Sequence, residues 1–486
     1  MFTLAFSDTP PIIQTMREVK NIQNWFKKHI KDNDVPYFLD KNQAKIIYDN
    51  HKNTLVTARA GSGKTRTIVA KIVYLLTHDH IDPSKIIVFA FNRKACQEIN
   101  ERLTKITKDH QPLFRTPPQI ATTFHAFAYQ ILGGNKALKN RLLTEEDDTR
   151  FNESPSQFIT RAEQQFFQNY NLLEEKIKYL DDPEIKQKLY LEFQNLQKYH
   201  QKLKADHKIN FNQLIATASA KLQAISSTPY RYIFIDEYQD FSLLFLTLTK
   251  SLRRTCKKAH LLAVGDDWQA INHFAGSDVE YFTHFEKYFP ENSIKLFIPS
   301  NYRSGKKIVK NANFFMSKAL NDFAGCKAKN HAKSKIFYQK TEDYFKTVQN
   351  IISRHHHKTI KILSRNNDLG YKKLSLENFV KKLNPITNQL SYSTIHRSKG
   401  LEADIVILLE IDAGKFPSPD KTGGLYEIFG DTDKTILADE IRLFYVALTR
   451  AKEKLYILSK NPTITKENRK YNFFSYLNPD FLDPLF

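Results

Sequence analysis

Cysteine is scarce in this chain, with three in 486 residues, Cys96, Cys256 and Cys326, and no short C-x-x-C spacing among them. That excludes a disulfide framework and a thiolate zinc site, so the three read as reduced, partly buried thiols. Long apolar runs are also missing, and nothing approaches the ~20 residues that cross a bilayer, which sets membrane insertion aside. The N-terminal stretch MFTLAFSDTPPIIQ lacks the basic and long apolar regions of a secretory signal, and a cytoplasmic location is the expectation. His355, His356 and His357 are consecutive, point in different directions and have no Cys or acidic partner at ligand spacing, so they read as an exposed loop rather than a metal site. Acidic residues are the other deficit: 52 Asp and Glu against 73 Lys and Arg leave a formal charge of +21. Such an excess attracts polyanions, although a solvated basic surface is an equal reading of charge alone. With 36 Phe and 23 Tyr beside it, the charge suits a groove where cations hold phosphates and aromatics stack on unpaired bases.

What is present is enough chain for two or three domains. Short apolar runs at 55–58, 86–91, 232–235, 261–264, 360–363, 405–409 and 455–458 read as buried parallel strands. Helical patterns at 65–76 and 94–103 follow two of them and imply doubly wound α/β layers. From about Phe127 to Lys208 the vocabulary changes to Glu, Lys, Gln and Leu, the mark of an all-α insertion in the first α/β domain. Ahead of the first strand, Val19, Ile22, Phe26 and Ile30 share one face of an amphipathic helix, with Trp25 beside them.

Two local patterns carry chemistry. Ala58-Arg59-Ala60-Gly61-Ser62-Gly63-Lys64-Thr65 follows a strand and opens a helix, the context a P-loop requires, with Ala58 where the general pattern has Gly. Ala60, Gly61, Ser62, Gly63 and Arg66 would frame a phosphate cradle, Lys64 would reach the β- and γ-phosphates of ATP, and Thr65 would offer its hydroxyl to Mg²⁺. A Gly-Ser-Gly turn can also simply end a strand in any α/β protein. Downstream, the strand 232–235 runs into Asp236 and Glu237, placed to hold Mg²⁺ and to take a proton from the attacking water. Alone, an acidic strand end is as often a solvated helix cap.

Seven ordered motifs between Gln43 and Lys452 make the chain resemble the UvrD/Rep group of superfamily 1 DNA helicases. DEYQD at 236–240, IVFAFNRKA at 87–95, TFH at 123–125, VGDDWQ at 264–269, NYRS at 301–304, TIHRSKGLE at 394–402 and FYVALTRA at 444–451 carry the resemblance. Trp268, SKGLEAD and Phe416-Pro417-Ser418 are most similar to its helicase IV branch. The resemblance implies two RecA-like P-loop domains with an α-helical insertion, 1B, in the first and a much reduced insertion in the second. The expected division is a helical segment at 1–34, domain 1A at 35–126 and 209–288, 1B at 127–208 and domain 2A at 289–486, with 366–391 a remnant in place of 2B. It also implies that Gln43 reads adenine, Tyr302 stacks on it, Glu402 contacts the ribose, Gln269 senses the γ-phosphate, and Arg303 and Arg450 reach that phosphate from the second domain. Both arginines could instead be structural ion-pair partners. On the DNA side it implies Phe91, Asn92, His125, Phe274 and His396, with Phe211 weaker; for Phe91 and Phe211, core packing is the competing reading.

The pattern departs in three places. Ala275 stands where the family usually has arginine, and Asn272 where tyrosine is common. Between Arg365 and Thr394 lie only 28 residues, too few for 2B, whereas 110 separate His125 from Asp236, enough for 1B. The resulting expectation is a DNA-dependent ATPase that translocates 3′ to 5′ on single-stranded or tailed duplex DNA, with unwinding less secure than movement. Two other readings are a DNA-sensing regulatory ATPase that controls a nuclease or another repair or defence partner, and a DNA-binding module with a decayed ATP site.

Overall fold

The computed structural model describes residues 11–32, 35–108, 118–143, 157–167, 169–383, 389–412, 415–418, 426–460 and 473–483. Its first lobe is a parallel sheet of β1 (Asn53–Ala58), β2 (Ile86–Phe89), β3 (Ala121–Thr122), β4 (Tyr232–Ile235), β5 (His260–Gly265) and β6 (Ser293–Ile298), in spatial order β3-β2-β4-β5-β1-β6. All pairings are parallel, and both faces are covered by apolar clusters, which is why the central strands read as continuous apolar runs. The helix Pro11–His29 closes one face: Val19, Ile22 and Phe26 are buried there with Ile30 just past its end, and Trp25 packs edge-on against Tyr74. This segment joins the first-lobe core.

β6 corrects the expected boundary at 289. The six residues SIKLFI pair in register with β1 from Asn53↔Ser293 to Ala58↔Ile298, so residues up to 298 belong to the first sheet. The strand was missed because it lies at a sheet edge, where Lys295 and half-exposed neighbours interrupt the apolar run. After Pro299 the chain enters β7 (Ser300–Gly305), which pairs with β8 (Lys327–Asn330) in a small parallel sheet. The second lobe is then built on β9 (Lys335–Lys340), β10 (Ile360–Ser364), β11 (Leu390–Thr394), β12 (Ala403–Leu408) and β13 (Ala451–Ser459), in order β9-β13-β12-β10-β11, again all parallel. The chain thus has the expected α/β architecture with two RecA-like lobes.

Between β3 and β4 the described residues are helical, including Gln157–Phe166, Tyr170–Lys178 and Pro183–Ala205. The helix Phe124–Ile131 belongs to the first lobe, since Phe124, Phe127 and Ala128 pack into its core. A separate core begins at Phe158 and takes in Leu173, Ile177, Leu189 and Phe193, with Ile428 and Phe429 inserted from the second lobe. Between β10 and β11 the described residues include a turn and the helix Leu376–Lys382, whose Phe379 stacks on Phe345 at 4.6 Å and seals the flank of the second sheet. His355–His357 form a turn after the helix Tyr344–Arg354, and the His355 ring lies 2.8 Å from the Tyr456 hydroxyl. Among the described residues no helix is long and apolar enough to cross a membrane.

Candidate active site and nucleic-acid path

The C-terminal ends of the first-lobe strands gather the candidate residues along one edge, the usual position of ligand sites in open α/β sheets. β1 leads into residues 59–63 and the helix Lys64–Thr77. Gly63 caps that helix at φ 81° and Gly61 has φ 72°, values that favour glycine. Gly61 also has no room for a side chain, because a Cβ there would lie 2.7 Å from the Cβ of Arg303. That approach follows from β7 crossing the loop: the Tyr302 amide donates to the Gly61 carbonyl at 2.7 Å, and the Asn301 side-chain amide donates to the Ala60 carbonyl at 2.6 Å. Ser62 is buried within the loop, and its amide donates to the Arg59 carbonyl.

β4 delivers the two acids. The Thr65 hydroxyl donates to Asp236 Oδ2 at 3.0 Å, and Lys64 Nζ lies 3.4 Å from Glu237 Oε2. Burial and the neighbouring Glu237 charge push the Asp236 carboxyl up to about 7. Burial opposes ionisation of Glu237 as well, but Lys64 and Lys399 outweigh it and hold that carboxyl at about 2. The two adjacent acids therefore sit in different environments, with Lys64 and Lys399 facing Glu237 and Thr65 facing Asp236. Thr65 and Asp236 supply hard oxygen donors that fit Mg²⁺. Among the described residues no group of three or more His, Cys, Asp or Glu forms an alternative metal centre.

From β5, Gln269 reaches across the cleft. Its Nε2 donates to Asp266 Oδ2 at 2.6 Å, and its Oε1 accepts from Arg450 Nη2 at 3.0 Å. Arg450 is fully buried at the end of the helix Asp433–Leu448, and its Nε donates to the Val446 carbonyl at 2.8 Å. Arg303 pairs with Glu402 at 2.6 Å, and Glu402 also meets Lys452 at 2.9 Å. At the other side of the P-loop, Gln43, Arg66, Asp40 and Tyr302 line a cavity of about 580 Å³. The Tyr302 hydroxyl donates to Asp40 Oδ2 at 2.6 Å; Gln43 Oε1 accepts from the Asp40 amide at 3.1 Å, so Gln43 also completes its helix cap.

Several partners carried no recognised signal in the sequence. Lys399 of the second lobe donates to Asp240 at 2.5 Å and to the Gln269 carbonyl at 2.7 Å. Arg59 is buried over the Trp268 ring at 3.8 Å and pairs with Asp266 and Asp267 at 2.8 and 2.6 Å. The motifs containing these residues were visible, but neither the Lys399 contacts across the lobes nor the Arg59 pairs within the first lobe were.

The candidate strand contacts run along the same edge. Phe91 follows β2 and is 48% exposed, Phe211 opens the helix Phe211–Ala224 and is 46% exposed, and Phe274 is 48% exposed. Core packing is therefore excluded for Phe91 and Phe211. Asn92 caps the helix Arg93–Ile106, its Oδ1 accepting from the Ala95 amide at 2.9 Å. His125 meets Phe211 edge-on at 5.2 Å, and His396 meets Phe274 edge-on at 5.6 Å across the cleft. Burial lowers the pKa of His125, while burial, Arg365 and Lys399 pull His396 down to about 4, so both rings are neutral at pH 7. The six residues form two aromatic–histidine pairs plus Phe91 and Asn92.

Fold and site together define a two-lobed P-loop nucleotide-binding protein with an aromatic track beside the cleft. The family model described as UvrD/REP helicase N-terminal domain matches residues 39–290, and that of the UvrD-like helicase C-terminal domain matches 370–461. The chain belongs to the UvrD/REP helicase family. It is 27% identical to DNA helicase IV of Escherichia coli over 87% of this chain and 69% of that protein. A probable DNA helicase II homolog of Mycoplasma capricolum is 28% identical over 57% of this chain, and the ATP-dependent DNA helicase PcrA of Staphylococcus aureus is 27% identical over the same share. The matches span 41% and 39% of those two relatives, so the chain spans about two fifths of their length.

Proposed function

We propose that this chain is an ATP-driven motor on single-stranded DNA, hydrolysing ATP between its lobes and translocating 3′ to 5′, the polarity its family resemblance implies. The observation that carries the reading is the contact of Arg450 from the second lobe with Gln269 of the first, beside the P-loop and Glu237. Lobe closure then completes the site, and release after hydrolysis reopens it. Gln43 reads the adenine edge, Tyr302 stacks on the ring, and Glu402 holds the ribose. The backbone of residues 60–63 with Arg66 cradles the phosphates, and Lys64 neutralises them. Thr65 and Asp236 would hold Mg²⁺, which would supply positive charge to offset that of the phosphates. Glu237 takes the proton of the attacking water. Arg303 and Arg450 balance the charge that builds on the transferring phosphoryl group.

Phe91, Phe211 and Phe274 stack on successive bases, while the neutral His125 and His396 rings and Asn92 orient them. Stacking is indifferent to base identity, as a translocating motor requires. We assign residues up to about 298 and from about 300 to the two lobes, with the helices between Gln157 and Ala205 an accessory insertion in the first. Among its described residues the short segment 366–391 provides no second arm, so movement is proposed ahead of duplex separation. The regulatory reading receives no support from the relatives described above, each of which is named as a helicase.

The test is ATP turnover with and without oligothymidylate, followed by strand displacement on 3′-tailed, 5′-tailed and blunt duplexes. Turnover that DNA leaves unchanged would refute the motor. Binding to oligothymidylate should also weaken by about 10²-fold between ~50 and ~200 mM salt if about five phosphates are held. A flat response would assign the +21 charge to something other than the strand. Phe274→Ala should raise the half-saturating DNA concentration by about ten-fold, as loss of one stacked base implies.

A further inference from the structure

The helix Gln157–Phe166 of the insertion carries two buried charges, Arg161 and Glu163, which are 1% and 2% exposed. Two residues apart on a helix, they project to roughly opposite sides. Each binds the immediate neighbour of an exposed aromatic on the proposed strand path.

Arg161 makes a two-pronged bond to Asp431 of the second lobe, Nη1 to Oδ2 and Nη2 to Oδ1, both at 2.6 Å. His273, next to Phe274 in the first lobe, closes the group: its Nε2 lies 2.8 Å from Asp431 Oδ1 and 3.2 Å from Arg161 Nη2. His273 Nδ1 faces the Ser277 carbonyl at 3.1 Å, which fixes the ring from its other side. The guanidinium also lies over the Phe429 ring at 4.7 Å. Gly276, two residues beyond Phe274, sits against the same helix; a Cβ there would lie 2.5 Å from that of Gln164.

Glu163 does the equivalent for Phe211. Its Oε1 accepts from Asn210 at 2.7 Å and from His200 at 2.7 Å, and its Oε2 accepts from Asn212 at 2.8 Å. Asn210 and Asn212 flank Phe211, and Asn210 caps the helix that Phe211 opens. One helix therefore fixes the backbone on which both Phe211 and Phe274 stand.

We infer that Arg161 and Glu163 are positioning residues for the DNA strand, setting Phe274 and Phe211 at a fixed relation to each other. The inference rests on the strand reading proposed above. Because Asp431 and His273 come from different lobes, the Arg161 group also ties the placement of Phe274 to closure of the cleft. The bidentate geometry requires arginine, since lysine supplies a point charge without the fork.

The test is a double-mutant cycle read by the oligothymidylate concentration that half-saturates ATP turnover. Arg161→Lys and Glu163→Gln should each raise that concentration by about ten-fold, the loss of one well-placed stack, and Glu163→Gln should leave DNA-free turnover unchanged. Arg161→Lys added to Phe274→Ala should cause little further loss, and likewise Glu163→Gln added to Phe211→Ala. Multiplicative losses would overturn the positioning role and leave the strand reading intact. Phenylalanine variants that bind DNA like the parent would overturn the strand reading and this inference with it. If Arg161→Lys does not fold, Asp431→Asn breaks the same fork from the other lobe, and unchanged half-saturation there overturns the role.

Discussion

Replacing Lys64 by alanine is expected to remove ATP turnover almost entirely while leaving nucleotide-free binding to oligothymidylate close to that of the parent chain. Lys64 opens the helix Lys64–Thr77, and its ammonium lies 3.4 Å from Glu237. The substitution removes the phosphate-facing cation and also the charge that helps hold Glu237 low. Two buried carboxylates then stand side by side with less compensation, so the Glu237 pKa rises from its low value. Loss of one preorganised charge at a reacting phosphate costs on the order of 10²–10³-fold in rate. The aromatic track at Phe91, Phe211 and Phe274 touches none of these groups among the contacts described, so binding should survive. Phosphate release and oligothymidylate binding on the same preparation check both halves; full residual turnover would refute the assigned site.

The phosphate loop was legible because its requirements are local. A strand, two glycines with positive φ and a helix start occupy adjacent positions, and Asp236 and Glu237 follow an unbroken apolar run. The two α/β lobes were legible for the same reason, since buried parallel strands announce themselves as apolar segments. β6 did not, because an edge strand with Lys295 in its middle has no such run. Partnerships across the fold were also hidden. Arg161 and Asp431 are 270 positions apart, and Arg161 and His273 are 112 apart, so no local pattern links them. The exposure of Phe91 and Phe211 was undecidable in sequence because an aromatic after a strand or at a helix start serves a core or a surface equally well. Topology decided it: both stand at the strand-end edge beside the cleft.

Arg450→Ala should have the other large effect, and it separates chemistry from grip. Arg450 is buried with its Nε held by the Val446 carbonyl and its Nη2 on Gln269, so its fork is fixed before any phosphate arrives. Burial and the nearby Arg303 charge pull its pKa down to about 9, which leaves it charged at neutral pH but short of anionic partners. A buried cation in this setting gains most when a phosphoryl group between the lobes accumulates negative charge. Arginines that act on a transferring phosphoryl group are worth roughly 10³–10⁵-fold in rate, so kcat should fall by about 10³-fold or more. Arg450→Lys should not restore it, because an ammonium cannot bond Gln269, Val446 and a phosphate oxygen from one planar fork. Oligothymidylate affinity without nucleotide should remain near the parent value, whereas its modulation by ATP should disappear, since closure is what this residue reports. Single-turnover hydrolysis and nucleotide-dependent strand binding distinguish the outcomes. A lysine variant with parental kcat would reduce Arg450 to a structural ion and move the closure signal to Arg303.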